Sequence, residues 1–70
     1  MRASNKQIGK AIKVRRKQLN LTQKDLEDYS GISYAVISSV ESGKNTTLAT
    51  LFKLMEPLGL TLEVKVINKL

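Results

Sequence analysis

Up to Leu58 the apolar positions of the chain recur at three- and four-residue spacing, and from Leu60 to Ile67 they alternate with polar ones. This pattern predicts a run of helices followed by one strand. From about Asn5 to Leu19, Ile8, Ile12, Arg15 and Leu19 line one side with Ala11 beside them, and Lys6, Lys10, Lys13 and Lys17 follow one another along the other. Asn20 before Leu21 is the expected stop. A membrane-surface helix has a similar outline, but it calls for large apolar residues such as Trp or Phe on the buried side. Ile, Ala and Leu read as core.

The stretch Thr22 to Gly43, TQKDLEDYSGISYAVISSVESG, predicts two short helices across a tight turn. Thr22 and Asp25 make a T-x-x-D reciprocal cap, so a helix begins at Gln23. Leu26 and Ser30 fall on one face, and Gly31 supplies the positive φ with which the chain leaves that helix. Ser33 is a second N-cap, Ile37 and Val40 recur at three-residue spacing, and Gly43 closes the second helix. Its other face, Ser33, Tyr34, Ala35, Ser38 and Ser39, is small or polar and has nothing to pack against. A helix-turn-helix places such a face in the DNA major groove, whereas a plain helical hairpin leaves it solvated. Spacing alone does not separate the two.

Thr47 then caps a further helix with Leu48, Leu51, Phe52, Leu54, Met55 and Leu58 on a broad apolar face, Phe52 and Met55 being expected in the core. Pro57 is awkward near its end, and Gly59 is the stop. In LTLEVKVI, Leu60, Leu62, Val64 and Val66 share one face and Thr61, Glu63 and Lys65 the other. With no second strand pattern in the chain, the simplest partner is the same strand from another copy, antiparallel about a two-fold axis; a frayed tail is the alternative.

Seventy residues make one domain near the lower size limit for a stable core, so oligomerisation is expected. No apolar run approaches the roughly 20 residues that span a bilayer, no signal-peptide core is present, and a cytoplasmic location is expected. Net charge is +6, and Arg2, Lys6, Lys10, Lys13, Arg15, Arg16, Lys17 and Lys24 all precede the first acidic residue, Asp25. A basic end of this kind suits DNA or RNA ahead of an anionic membrane; standing alone it would read as a solvated helix face. There is no histidine or cysteine, no phosphate-cradling glycine loop and no carboxylate cluster, so no enzymatic, metal-binding or cofactor chemistry is expected. Too few aromatic residues are present for an RNA-stacking platform.

The residues RRKQLNLTQKDL, followed by SGISYAVISSVESGK, resemble the lambda-repressor-like (XRE-type) helix-turn-helix family, which includes phage repressors and Cro proteins. The likeness covers residues 8 to 59 and is carried most specifically by Arg16, Gln23, Gly31 and Glu41-Ser42-Gly43-Lys44. It implies a mainly α, four- to five-helix domain. It also implies an ion pair between Arg16 and Glu41 that ties the first helix to the end of the recognition helix, and a Gln23 set at a helix N-terminus against a DNA phosphate. Lys44 and Asn45 match a further backbone-contacting position, and Lys10, Lys13 and Lys24 join them as expected phosphate contacts. Glu27 departs from the pattern, standing where the family usually has alanine between the two motif helices; it must snorkel outward, pair with a base or widen the helix contact.

The expected base readers are Tyr34, Ala35, Ser38 and Ser39, with Ser33 at the cap. Ala35 suits a thymine methyl, Ser38 several base edges, and Tyr34 a phosphate or an edge. Taken singly, each serine reads slightly more readily as a solvated helix residue than as a base reader. Bidentate readers are missing, so DNA shape and backbone contacts are expected to carry part of the specificity.

Thr46-Thr47-Leu48 and Leu58-Gly59-Leu60, with the alternating tail, narrow the resemblance to HipB-type antitoxins. That likeness implies a homodimer completed by strand 60–67, binding to double-stranded operator DNA, repression of its own promoter, and a HipA-like serine/threonine kinase toxin as partner. A stand-alone phage-repressor-like regulator, and a partner-holding module with incidental DNA binding, are the alternatives. Under the repressor reading, two recognition helices lie about one DNA turn apart, roughly 34 Å.

Overall fold

The computed structural model describes residues 4–66 and residue 68; Arg2 and Ile67, both named above, lie outside them. Among the described residues four helices form: α1 (Asn5–Gln18), α2 (Gln23–Ser30), α3 (Tyr34–Glu41) and α4 (Leu48–Leu58). Each begins at a hydroxyl side chain that accepts a hydrogen bond from an otherwise orphaned amide. Ser4 takes Gln7 N–H at 3.2 Å, Ser33 takes Val36 N–H at 3.4 Å, and Thr47 takes Thr50 N–H at 3.2 Å. At Thr22 the reciprocal cap forms in full, with Asp25 N–H donating to Thr22 Oγ1 at 3.0 Å and Thr22 N–H to Asp25 Oδ2 at 2.8 Å. The Thr22 backbone N–H first, and then the Thr22 side chain, hold the Asp25 carboxyl pKa below its ordinary value by hydrogen bonding its charged form.

The helix ends are equally local. Asn20 takes the left-handed conformation with φ 58°, its N–H bonding Lys17 O while Leu21 N–H reaches back to Arg16 O. Gly31, with φ 75°, ends α2 through a 2.8 Å bond to Glu27 O, which is where the chain turns sharply into α3. At the end of α4, Gly59 N–H bonds Glu56 O and Leu60 N–H bonds Met55 O. Helix α4 runs on through Pro57 to Leu58 even though Pro57 has no N–H to give the Lys53 carbonyl, and the two cap bonds close its last turn.

Ile12, Leu26, Ile37, Val40, Leu51, Leu54, Met55 and Leu58 form the core, with Ile8, Leu21, Ile32 and Leu60 packed against it. Every helix contributes to it, α1 and α2 each lying against both α3 and α4. Burying one such side chain stabilises the fold by about 1.5–3 kcal/mol.

Several expected positions lie elsewhere. The buried line of α1 is Gly9, Ile12 and Arg16, whereas Leu19 and Ala11 are exposed. Arg15 is only half-buried, and its Nε donates to Leu58 O at 2.9 Å, a cation placed at the carbonyl end of α4. On α4 the stripe Leu51, Leu54, Met55 and Leu58 faces inward, but Leu48 and Phe52 are exposed. Phe52 lies about 100° around the helix from Leu51, on its flank, and Leu48 stands at the open end of the stripe. Leu60 belongs to the α4 cap and the core of its own chain. No strand forms among the described residues: residues 61–66 carry no regular element, and Val64 and Val66 are exposed, because a lone strand has no neighbour to satisfy its backbone.

Candidate nucleic-acid interface

Helices α2 and α3, joined at Gly31, share a seam in which Leu26 and Ile37 are wholly buried. With Ile37 and Val40 turned inward, Ser33, Tyr34, Ala35 and Ser38 face solvent. Tyr34 is half exposed at the first position of α3. Ser39 is half-buried at the far end of the helix, where its carbonyl accepts bonds from Ser42 Oγ at 2.8 Å and from Lys44 N–H at 3.1 Å. The apolar spacing did not mark Val36, which is also exposed beside Ala35 and adds a second aliphatic group of the kind that meets a thymine methyl. Its signal was a β-branched residue one position off the Ile37 line.

One buried carboxylate anchors this exposed face. Arg16 Nε donates to Glu41 Oε2 at 2.7 Å and Nη2 to Oε1 at 3.0 Å, a bidentate pair with side chains only 8% and 3% exposed. The third donor, Nη1, goes to Leu21 O at 2.7 Å and fixes the α1–α2 link. Hydrogen bonding to Glu41 raises the pKa of the Arg16 guanidinium above its ordinary value against the opposing effect of burial. Glu41 Oε1 also accepts from Gln23 Nε2 at 3.2 Å. Gln23, at the first position of α2, is thus held to the end of α3, and Arg16, Glu41 and Gln23 meet in one network joining three helices.

The close approach of α1 to α3 depends on Gly9, which the helical period passed over. A Cβ there would lie 2.1 Å from Val40 O. A glycine interior to an otherwise regular helix was the available signal. Lys6, Lys10, Lys13 and Lys17 line, with Val14, a groove of about 420 Å³ closed by Glu41 and Ser42 at the C-terminal end of α3. Lys10 and Lys13 therefore sit away from Tyr34 and Lys24, which lie together at the other end of α3. In the α3–α4 loop Lys44 is exposed, and Asn45 Oδ1 accepts a hydrogen bond from Asn5 Nδ2 at the start of α1.

Glu27 solves its own placement locally. It is half-buried, 3.3 Å from Lys24 Nζ, and accepts Tyr34 N–H at 3.2 Å. Among the described residues no group of His, Cys, Asp or Glu side chains is placed to hold a metal ion.

A capped two-helix turn, an exposed second helix and a bidentate pair locking that helix to the first define a lambda-repressor-like helix-turn-helix protein. Residues 12–65 match the helix-turn-helix family, and the chain belongs to it. It is 40% identical over 67 residues to an uncharacterised HTH-type transcriptional regulator of Haemophilus influenzae, covering 91% of this chain and 68% of that protein. It is also 40% identical over 57 residues to antitoxin HipB of Escherichia coli K12, covering 80% of this chain and 65% of that one. Among solved structures it is similar to HipB in an O4 20mer complex, with a TM-score of 0.84 and 35% identity over 97% of both chains. A HipA-HipB-O2-O3 complex gives 0.83 and 35%, again over 97% of both chains.

Proposed function

We propose that this chain is a HipB-like antitoxin: a sequence-specific, dimeric DNA-binding repressor that represses its own promoter and holds a HipA-like kinase toxin. The observation that carries the reading is the exposed Ser33–Ser38 face of α3 on a helix fixed through Glu41 to α1 and α2. The likeness to HipB, solved with 20mers and with HipA, supports both partners.

Under this reading Tyr34, Ala35, Val36 and Ser38 meet base edges while Ser33 caps the helix. Lys10, Lys13, Lys24, Lys44 and Asn45 contact the backbone, with Gln23 at the N-terminus of α2. Ser39 acts through its carbonyl, which fixes the following turn. Two chains pair antiparallel through residues 61–66; Leu60 stays with its own core and leaves Leu62, Val64 and Val66 as the apolar face. The supporting observation is that Val64 and Val66 are exposed in the single chain. Pairing sets two α3 helices about one DNA turn apart, roughly 34 Å, on a palindromic site in the cytoplasm.

The test is titration of the purified protein against a fragment carrying its own upstream promoter and against a scrambled fragment, across a salt series. A preference for the promoter that survives moderate salt is expected, with affinity falling as salt rises because neutralised phosphates release counterions. Equal binding to both fragments that vanishes with salt would refute sequence reading and leave a partner-holding module. A stand-alone regulator is the second reading, in keeping with the H. influenzae relative named as an HTH-type transcriptional regulator. A kinase-like reading frame beside the gene whose product copurifies with this chain decides for the antitoxin.

A further inference from the structure

Glu27 joins the two motif helices at the point where the second one begins. Its Oε2 accepts the Tyr34 backbone N–H at 3.2 Å, and its Oε1 lies 3.3 Å from Lys24 Nζ. The Lys24 ammonium in turn stands 5.4 Å from the centroid of the Tyr34 ring, within cation–π range. One carboxylate therefore holds the first residue of α3 by its backbone and, through Lys24, lies beside the ring of that residue. The N-terminal residues of a recognition helix are the ones that reach base edges, so the position of this first turn decides what α3 can read.

Glu27 stabilises the start of α3 by taking its first amide at the positive end of that helix, but the packing and capping of α3 do not rest on it alone. Leu26 and Ile37 already pack α2 on α3, and Ser33 already caps the helix. An anion at this end moreover opposes DNA phosphates, since the positive end of a helix is where a phosphate would otherwise settle. Glu27 fills that place from within the protein, and by pairing with Lys24 it draws off part of a charge available to the DNA backbone. General affinity is lowered while the geometry of the reading end is fixed.

We infer that Glu27 is a specificity-determining positioning residue, which sets the first turn of α3 through the Tyr34 N–H and keeps a phosphate from taking its place. The inference rests on the operator-binding reading above. The bond to the backbone N–H carries the positioning, and the charge mainly offsets Lys24.

The experiment compares wild type, Glu27→Gln and Glu27→Ala on the promoter fragment and on the scrambled fragment at one fixed salt concentration. The ratio of the two affinities is the readout, because a loss of folded fraction affects both titrations equally and cancels. Glutamine keeps a carbonyl oxygen for the Tyr34 N–H while losing the charge. It should bind both fragments more tightly, with a ratio within about twofold of wild type. Alanine should bind the scrambled fragment more tightly too, but its ratio should fall about tenfold, the size of one impaired base-pair contact. An alanine ratio equal to wild type overturns the inference alone, as does an equal fall in alanine and glutamine, which would assign the effect to charge. A wild-type ratio near one overturns the operator-binding reading and this inference with it.

Discussion

Replacing Gly9 by alanine adds one methyl group, and local rules predict that it helps: alanine is favoured over glycine inside a helix by about 0.8–1 kcal/mol. The structure predicts the opposite. The new Cβ would sit 2.1 Å from Val40 O, against a floor of 3.0 Å for real contacts, so α1 must retreat by 3.0 − 2.1 = 0.9 Å. The obstacle cannot rotate aside, because it is helix backbone and Val40 O also accepts Gly43 N–H at 3.0 Å. Overpacking of this kind costs about 1–3 kcal/mol. The same retreat stretches the Arg16–Glu41 bonds, now 2.7 and 3.0 Å, and hydrogen bonds to charged groups are worth about 1.5–3 kcal/mol. Taking the upper overpacking cost with part of the ion pair, less the propensity gain, the net loss is about 3 kcal/mol. In a domain of this size that lowers Tm by about 12–24 °C. Thermal unfolding by circular dichroism, at one protein concentration for both variants, measures it. A Gly9→Ala protein melting at or above wild type would refute the claim that the backbones of α1 and α3 meet this closely at Gly9.

Removing the partner of a buried guanidinium should be costlier. Glu41→Ala leaves Arg16 unpaired and is expected to lose about 3–5 kcal/mol in urea unfolding, out of about 4–10 kcal/mol for a domain of this length. The double variant Arg16→Met, Glu41→Leu should recover most of that; a double variant no more stable than Glu41→Ala would count against the pairing. The Asp25 carboxyl pKa is lowered by its cap, so its contribution is present above the ordinary carboxylate range and lost as pH falls through the lowered value. The Tm advantage of wild type over Asp25→Asn should therefore exist at neutral pH and vanish in acid, and a difference constant with pH would contradict it. Val64→Lys should give a monomer by sedimentation with an unchanged helical spectrum, whereas an intact dimer would remove the tail from the interface.

Much of the architecture was legible because its causes are local. A hydroxyl at Ser33 or Thr47, the Thr22–Asp25 reciprocity and the left-handed Gly31 each act within four residues, and the helical spacing of Leu26 with Ser30 and of Ile37 with Val40 placed the seam. What escaped depends on distances between helices. Gly9 matters only because α3 passes close to it, and periodicity could not distinguish Arg15 at the carbonyl end of α4 from Arg16 inside the core. Phe52 and Leu48 fit the apolar stripe by composition yet fall beyond the width that four short helices can cover. Leu60 alternates in phase with Leu62, but its amide was already taken by the cap of α4. The constraint on Glu27 was visible in the sequence; its acceptor role toward Tyr34 was not, since that required knowing where α3 begins relative to α2.

The single carboxylate of Glu41, answering at once to Arg16 and Gln23, has a consequence for heredity. Alleles that abolish repression in an unbiased screen should accumulate at positions 9, 16 and 41, none of which presents a side chain to a base. Alleles that redirect the protein to a different operator should arise at 27, 34, 35, 36 and 38. The first group would be recessive through loss of folded protein, and the second would remain abundant and able to pair with wild-type subunits. Genetic dominance alone would then separate the frame of this domain from its proposed reading surface.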